Sequence, residues 1–163
     1  MDKKETFTAA IKENEALLFK IASFYTNNPE DKMDLLQEII YQLWKSYDGF
    51  NQASSLSTWM YRVALNVSIY QLKISKKRIL TEPLSSHLSN FSETDNKEIE
   101  EKWLLFRQQI EKLNLFERGI ILLYLENKSH AEIAAIIGIS VSNVGTRIAR
   151  IKEKLKNQIL KKV

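Results

Sequence analysis

Apolar residues recur along this chain at three- and four-residue spacing, and two-residue alternation is never sustained, so the pattern predicts helices and no sheet. Leu17, Leu18, Ile21 and Phe24 mark one helix. Leu36, Ile39, Ile40, Leu43 and Trp44 mark a second, and Leu56, Met60, Val63, Val67 and Tyr70 a third. The third should be long, because neither Gly nor Pro occurs from Phe50 to Glu82. Asp48-Gly49 separates the second from the third, with Gly49 expected to supply a positive φ, and the loop it opens runs to about Ser57.

Further on, Ile99, Trp103, Phe106, Ile110 and Leu113 share one helix face, and Phe116 to Leu125 is apolar enough for a buried helix. Ser129-His130-Ala131-Glu132 has the spacing of a capping box and opens a short helix that Gly138 ends. Ser140 can cap the next helix, whose buried stripe is Val144, Ile148, Ile151 and Leu155. A short helix, a turn at Gly138 and a second, basic helix match a helix-turn-helix. Between the halves, Thr81 to Asn96 is rich in Ser, Asn and acids, contains Pro83 and has no periodicity. The expected fold is all-α: two small helical lobes, residues 1–80 and 98–163, joined by a flexible acidic linker at 81–97.

Length and composition narrow the chemistry. The 163 residues suffice for one ordinary domain or two small ones. With no Cys, thiolate catalysis, disulfides and sulfur-ligated metal sites are excluded. His87 and His130 belong to no ligand cluster, and Gly49, Gly119, Gly138 and Gly145 are too scattered to form a phosphate-cradling loop. No catalytic residue, cofactor or metal is therefore expected. The longest apolar run, Ile120 to Leu125, is far short of the ~20 residues of a membrane helix, and Met1-Asp2-Lys3-Lys4-Glu5 does not read as a signal peptide. No membrane insertion and a cytoplasmic location are the corresponding expectations.

Charge is unevenly placed: 11 basic groups face 9 acidic in residues 1–80, 1 faces 5 in 81–100, and 12 face 6 in 101–163. From Gly49 to Thr81 no acid occurs, while Arg62, Lys73, Lys76, Lys77 and Arg78 supply five cations. Such a one-sign surface gains affinity for nucleic acid through counterion release, although a merely solvated basic face is the plain alternative. Tyr47, Phe50, Trp59, Tyr61 and Tyr70 accompany it, either as core or as platforms for unpaired bases. The last helix repeats the pattern, with Arg147, Arg150, Lys152, Lys154, Lys156, Lys161 and Lys162 against Glu153. Arg147 can leave the buried stripe while Asn143, Thr146 and Arg150 share the outer face, all residue types that read base edges. An amphipathic helix for an acidic protein is the alternative there. On the second helix, Asp34, Gln37 and Glu38 lie within little more than one turn, as a docking surface or as ordinary solvated polar groups. Nothing near these carboxylates supplies a nucleophile.

Several stretches together resemble a known family: Asp34-Leu35-Leu36-Gln37-Glu38, Tyr47-Asp48-Gly49-Phe50, Thr58-Trp59-Met60-Tyr61-Arg62-Val63-Ala64-Leu65-Asn66, and Glu132 to Ser140 in the helix-turn-helix. In this order, about an acidic linker, the chain resembles a bacterial sigma factor of the small extracytoplasmic-function (ECF) group, with region two over about residues 15–78 and region four over 100–158. The resemblance implies a dissociable initiation subunit of RNA polymerase, with the catalysis left to the core enzyme. It implies that Asp34, Gln37 and Glu38 dock on the largest polymerase subunits. Phe50, Asn51, Gln52, Ser55 and Asn66 would capture a base flipped from the minus-ten element, with Arg62, Lys73, Lys76, Lys77 and Arg78 on backbone phosphate and Trp59 and Tyr61 holding loop to helix. Asn143, Thr146, Arg147, Arg150 and Lys152 would bind the duplex minus-thirty-five element. It also implies an anti-sigma factor as a partner. Gly145 stands where the family commonly has Lys or Arg, His130 where Tyr is frequent, and Phe116 where Pro often stands. The competing reading is a stand-alone helix-turn-helix regulator, which binds its operator without polymerase.

Overall fold

The computed structural model describes residues 2–79 and 97–160, which fall into two compact helical units, Met1–Leu88 and Ser89–Val163. The 81–97 linker lies outside the described residues apart from Lys97, as do Lys161 and Lys162 and the side chains of Lys76, Lys77, Arg78, Ile99 and Trp103. Among the described residues there is no strand, and no single helix is long and apolar enough to cross a membrane.

The first unit contains α1 (Lys3–Glu13), α2 (Glu15–Tyr25), α3 (Pro29–Ser46), a 3₁₀ turn (Tyr47–Gly49) and α4 (Leu56–Ile79). Local chemistry sets the helix starts. Asp2 and Glu5 form a reciprocal capping box at α1, and Asn28 caps α3 with Pro29 in its first turn, where a missing N–H costs nothing. Ser55 begins α4, its Oγ accepting from the Thr58 N–H at 3.2 Å. Helices α2, α3 and α4 pack pairwise around Leu18, Ile21, Ala22, Leu35, Ile39, Leu43, Met60 and Ala64. Burying each of the large aliphatic side chains contributes roughly 1.5–3 kcal/mol.

Two expectations need correction in this unit. Gly49 does not take a positive φ. It sits inside the 3₁₀ turn, and the left-handed residue is Gln52 at φ 61°, so the reversal comes three residues later. The core face of α4 is also rotated by nearly a third of a turn from the Leu56–Met60–Val63–Val67–Tyr70 stripe. Met60, Tyr61, Ala64, Leu65 and Ser68 are buried, while Val63 and Val67 are only half-buried and Tyr70 is 63% exposed. Small side chains take the buried positions instead. Ala64 and Ser68 are fully buried, and the Ser68 hydroxyl donates to the Ala64 carbonyl at 2.8 Å, so its burial leaves no unpaired group.

The second unit contains α5 (Lys97–Glu111), α6 (Leu115–Leu125), α7 (His130–Ile137) and α8 (Val141–Leu160). Helix α6 is the buried one, with Ile120, Ile121, Leu122 and Leu123 in the core. The Ser129–Glu132 capping box forms, Gly138 closes α7 at φ 87°, and the Asn143 N–H donates to Ser140 Oγ at 3.1 Å to start α8. Val144, Ile148 and Ile151 are buried as expected and Leu155 is half-buried. The α7–turn–α8 pair is thus a helix-turn-helix held against α6.

Candidate nucleic-acid and partner interfaces

Three surfaces hold the residues singled out from the sequence. On α3, Asp34 and Gln37 are exposed, whereas Glu38 is half-buried and its Oε1 accepts from Gln42 Nε2 at 3.0 Å. Asp34 and Glu38 share the wall of a 650 Å³ groove with Asp31, Thr26 and, from α4, Gln71 and Ser75. Gln37 does not line it. It points to the outer face of α3, where Met33, Tyr41 and Trp44 are also exposed. Sequence reasoning missed Met33 and Tyr41. Their positions four residues either side of Gln37 place them on its face, well away from the Leu35–Ile39–Leu43 stripe.

The second surface is the loop after the 3₁₀ turn together with the outer face of α4. The Asn51 Oδ1 accepts from the Ala53 N–H at 3.1 Å, an Asx turn, and Ser55 serves as the α4 cap, its hydroxyl also donating to Thr58 Oγ1 at 2.9 Å. Phe50 leans on Trp59 with centroids 5.2 Å apart, and Trp59 neighbours Tyr47 at 6.3 Å. Tyr61 is buried, so it holds the helix to the core. Arg62, Asn66, Tyr70 and Lys73 follow at spacings of four, four and three, and all are exposed along one line. Asn66, Tyr70 and Lys73 make no hydrogen bond or ion pair among the described residues. The structure therefore puts Arg62 and Asn66 on one exposed face of α4 together with Tyr70, which of the two readings open to it takes the exposed one and leaves the core.

The third surface is α8. Thr146 is exposed, and its hydroxyl donates back to the Ser142 carbonyl at 3.2 Å. Arg147 is half-buried: its Nε donates to Asn143 Oδ1 at 3.1 Å and its guanidinium lies 5.0 Å from the Phe116 ring centre. Arg147, Arg150 and Lys154 line a 240 Å³ pocket with Glu117, which pairs with Lys154 at 3.2 Å. Lys152 points elsewhere. At ~100° per residue it lies about 140° around the helix from Arg147, and its Nζ sits 4.2 Å from the Tyr124 ring centre. The five α8 residues thus do not form one reading face: Asn143, Arg147 and Arg150 flank Thr146 on one side, and Lys152 stands on the other. Gly145 faces α7, where an added Cβ would meet the His130 ring at 3.6 Å, an ordinary contact.

Comparison with known proteins agrees with this architecture. Residues 10–78 match the Sigma-70 region 2 family and residues 103–155 match Sigma-70, region 4. The chain is 30% identical to the ECF RNA polymerase sigma-E factor of Escherichia coli (strain K12), over 79% of this chain and 74% of that one. This chain belongs to the ECF group of the sigma-70 family. It is 25% identical to RNA polymerase sigma factor SigV of Bacillus subtilis (strain 168) over 99% of its own length and 98% of the relative. In fold it is similar to the sigma factor RpoE of Bartonella quintana, solved in complex with the anti-sigma factor NepR, with a TM-score of 0.70 and 18% identity over 95% and 97% of the two chains.

As an ECF sigma factor, the chain binds core RNA polymerase and directs promoter-specific initiation. The region two match spans α2, α3 and α4, and the region four match spans the helix-turn-helix. Lys3 and Phe7 of α1 precede the first match.

Proposed function

We propose that the two units divide promoter recognition between them: residues 1–80 dock on core polymerase and open the minus-ten element, residues 98–163 hold the minus-thirty-five element, and 81–97 joins them. The observation that supports this best is the exposed line Arg62–Asn66–Tyr70–Lys73, which combines an amide edge, a ring face and cations on one helix side. That is the chemistry an unpaired strand calls for, since extruding a base costs a few kcal/mol and stacking returns ~1–3 kcal/mol per base. Asn66 offers both an amide donor and an acceptor to a base edge. In the loop, Asn51 and Ser55 spend side-chain oxygens on the backbone and on Thr58, so they shape the capture site while Phe50 and Gln52 border it.

Docking falls to the outer face of α3 and the adjoining groove edge, with Gln37 on the face and Asp34 at the edge giving polar register and Tyr41 and Met33 giving apolar area of the kind that dominates interface energetics. Glu38, already bonded to Gln42, is a flanking member. On α8, Thr146 leads toward the major groove. Arg147 and Arg150 hold the duplex from one flank and Lys152 from the other. The chain itself performs no chemistry in this reading and acts in the cytoplasm with the polymerase. An anti-sigma factor that covers the α3 and α4 faces is the proposed inhibitor, by analogy with the complex of the Bartonella quintana sigma factor.

Run-off transcription with core RNA polymerase on fragmented genomic DNA, with and without the protein, tests the proposal. Discrete starts that need both Asn66 and Thr146 are expected. Tight operator-like binding by the free protein, with no new starts and no co-migration with core enzyme, would instead fit a stand-alone regulator.

A further inference from the structure

The loop that carries Phe50 to Ser55 is short of backbone anchors on its N-terminal side, where the Phe50 N–H donates to the Tyr47 carbonyl at 3.2 Å. The 3₁₀ turn from which it springs is gripped instead by α1. The Lys3 Nζ donates to Asp48 Oδ2 at 2.8 Å and lies 4.3 Å from the centre of the Trp44 ring. One turn on, Phe7 is buried edge-on between Trp44 at 5.1 Å and Tyr47 at 5.2 Å. Tyr47 in turn neighbours Trp59, and Trp59 supports Phe50. A continuous run of ring contacts therefore links the first helix to the loop, and its α1 member Phe7, like Lys3, precedes the family-matched residues.

Energetic scale separates two roles within this set. Phe7 is a core side chain, so its removal would loosen the whole unit. The Lys3–Asp48 pair is solvent-facing, with side chains 39% and 77% exposed, and a pair of that kind adds little to global stability. What it does is fix where Asp48 sits, and with it the turn that aims the loop. The cation over Trp44 holds Lys3 in place for this, because a ring face attracts an ammonium and limits its wandering. We infer that α1 is a strap for the promoter-opening loop, with Lys3 a positioning residue that acts through Asp48. The inference rests on the assignment of base capture to this loop.

The test compares Lys3→Gln, Lys3→Arg, Asp48→Asn, the Lys3→Gln/Asp48→Asn double variant and Asn66→Ala in full-length holoenzyme. Promoter opening is followed by a fluorescent base analogue in the minus-ten element of a promoter found by run-off transcription. Lys3→Gln should slow opening about threefold, inside the roughly 1.4-fold to fivefold range an exposed ion pair allows. Asp48→Asn should match it, the double variant should be no worse than either, and Lys3→Arg should open as the parent does. Core binding and melting temperature should stay unchanged throughout. Normal opening by Lys3→Gln beside a defective Asn66→Ala overturns the strap and leaves base capture standing. Normal opening by both overturns both. A lowered melting temperature with weakened core binding in Lys3→Gln would make Lys3 a folding residue and overturn the positioning role.

Discussion

The outer faces of α4 and α8 have similar compositions and opposite states. On α4, Asn66, Tyr70 and Lys73 project without partners among the described residues. On α8, Arg147 is tied to Asn143 and Phe116, Lys152 lies over Tyr124, and Lys154 is paired with Glu117. A count of positive charge treats the two alike. Their surroundings differ because α8 packs beside aromatic and acidic side chains of α6, whereas Asn66, Tyr70 and Lys73 meet no such partner among the described residues. In the proposed reading, the α4 face serves a ligand that brings its own shape, an unpaired strand. Arg147, Lys152 and Lys154 of α8 are already oriented, which in the same reading suits a regular duplex whose phosphate positions are known in advance.

Substitutions can break this contrast in decreasing order of effect. Arg118 is the extreme case of an engaged cation: it is buried and donates to the Glu111 carbonyl at 2.8 Å, closing the end of α5. Arg118→Ala should lower the stability of the second unit by roughly 1.5–3 kcal/mol, measured by denaturant unfolding, because hydrogen bonds from a charged group are the costly ones to lose. Asn66→Ala, at the free extreme, should leave unfolding and core binding unchanged but slow promoter opening on the order of tenfold, or about 1.4 kcal/mol. Unaltered opening on linear duplex DNA would remove the base-capture role.

Arg147 decides how far the contrast reaches. Held by Phe116 and Asn143, it is expected to contact phosphate, so Arg147→Ala should weaken upstream-element binding by about 1 kcal/mol or somewhat more, equally across element sequences, and flatten the salt dependence by about one unit. A loss confined to one base pair would instead make it a base reader. The smallest effect is a gain. Gly145→Ala should stabilise α8 by up to ~1 kcal/mol in thermal unfolding, since alanine favours the helix and its Cβ meets the His130 ring at 3.6 Å without a clash.

Much of the fold was legible because the sequence carries its punctuation in plain sight: Ser129 with Glu132, Gly138, and the unbroken stretch that became α4. Helix α1 escaped the apolar pattern because it buries little beyond Phe7 and Ala10, though Asp2 and Glu5 announce its start. The rotated core of α4 was hidden for a related reason. Periodicity weighs Val63, Val67 and Tyr70 as core, and only packing reveals that Ala64 and Ser68 are buried in their place. For the interfaces, sequence position placed Asp34, Gln37, Arg62, Asn66 and Thr146 on accessible faces. It could not foresee that Ser55, Arg147 and Lys152 were already engaged, because their partners Thr58, Phe116 and Tyr124 are settled by three-dimensional packing or by a local turn.

The exposed line on α4 is also a ruler. From Arg62 to Lys73 is a rise of about 16 Å at ~1.5 Å per residue. Along a duplex, where phosphates of one strand advance by about 3.4 Å, that rise would equal roughly five steps, and an extended unpaired strand covers it with fewer nucleotides. In the proposed reading, a rigid helix of fixed pitch therefore sets the length of strand that can be gripped in step, and an inserted residue between Asn66 and Tyr70 would shift one end of the scale by about 100° against the other.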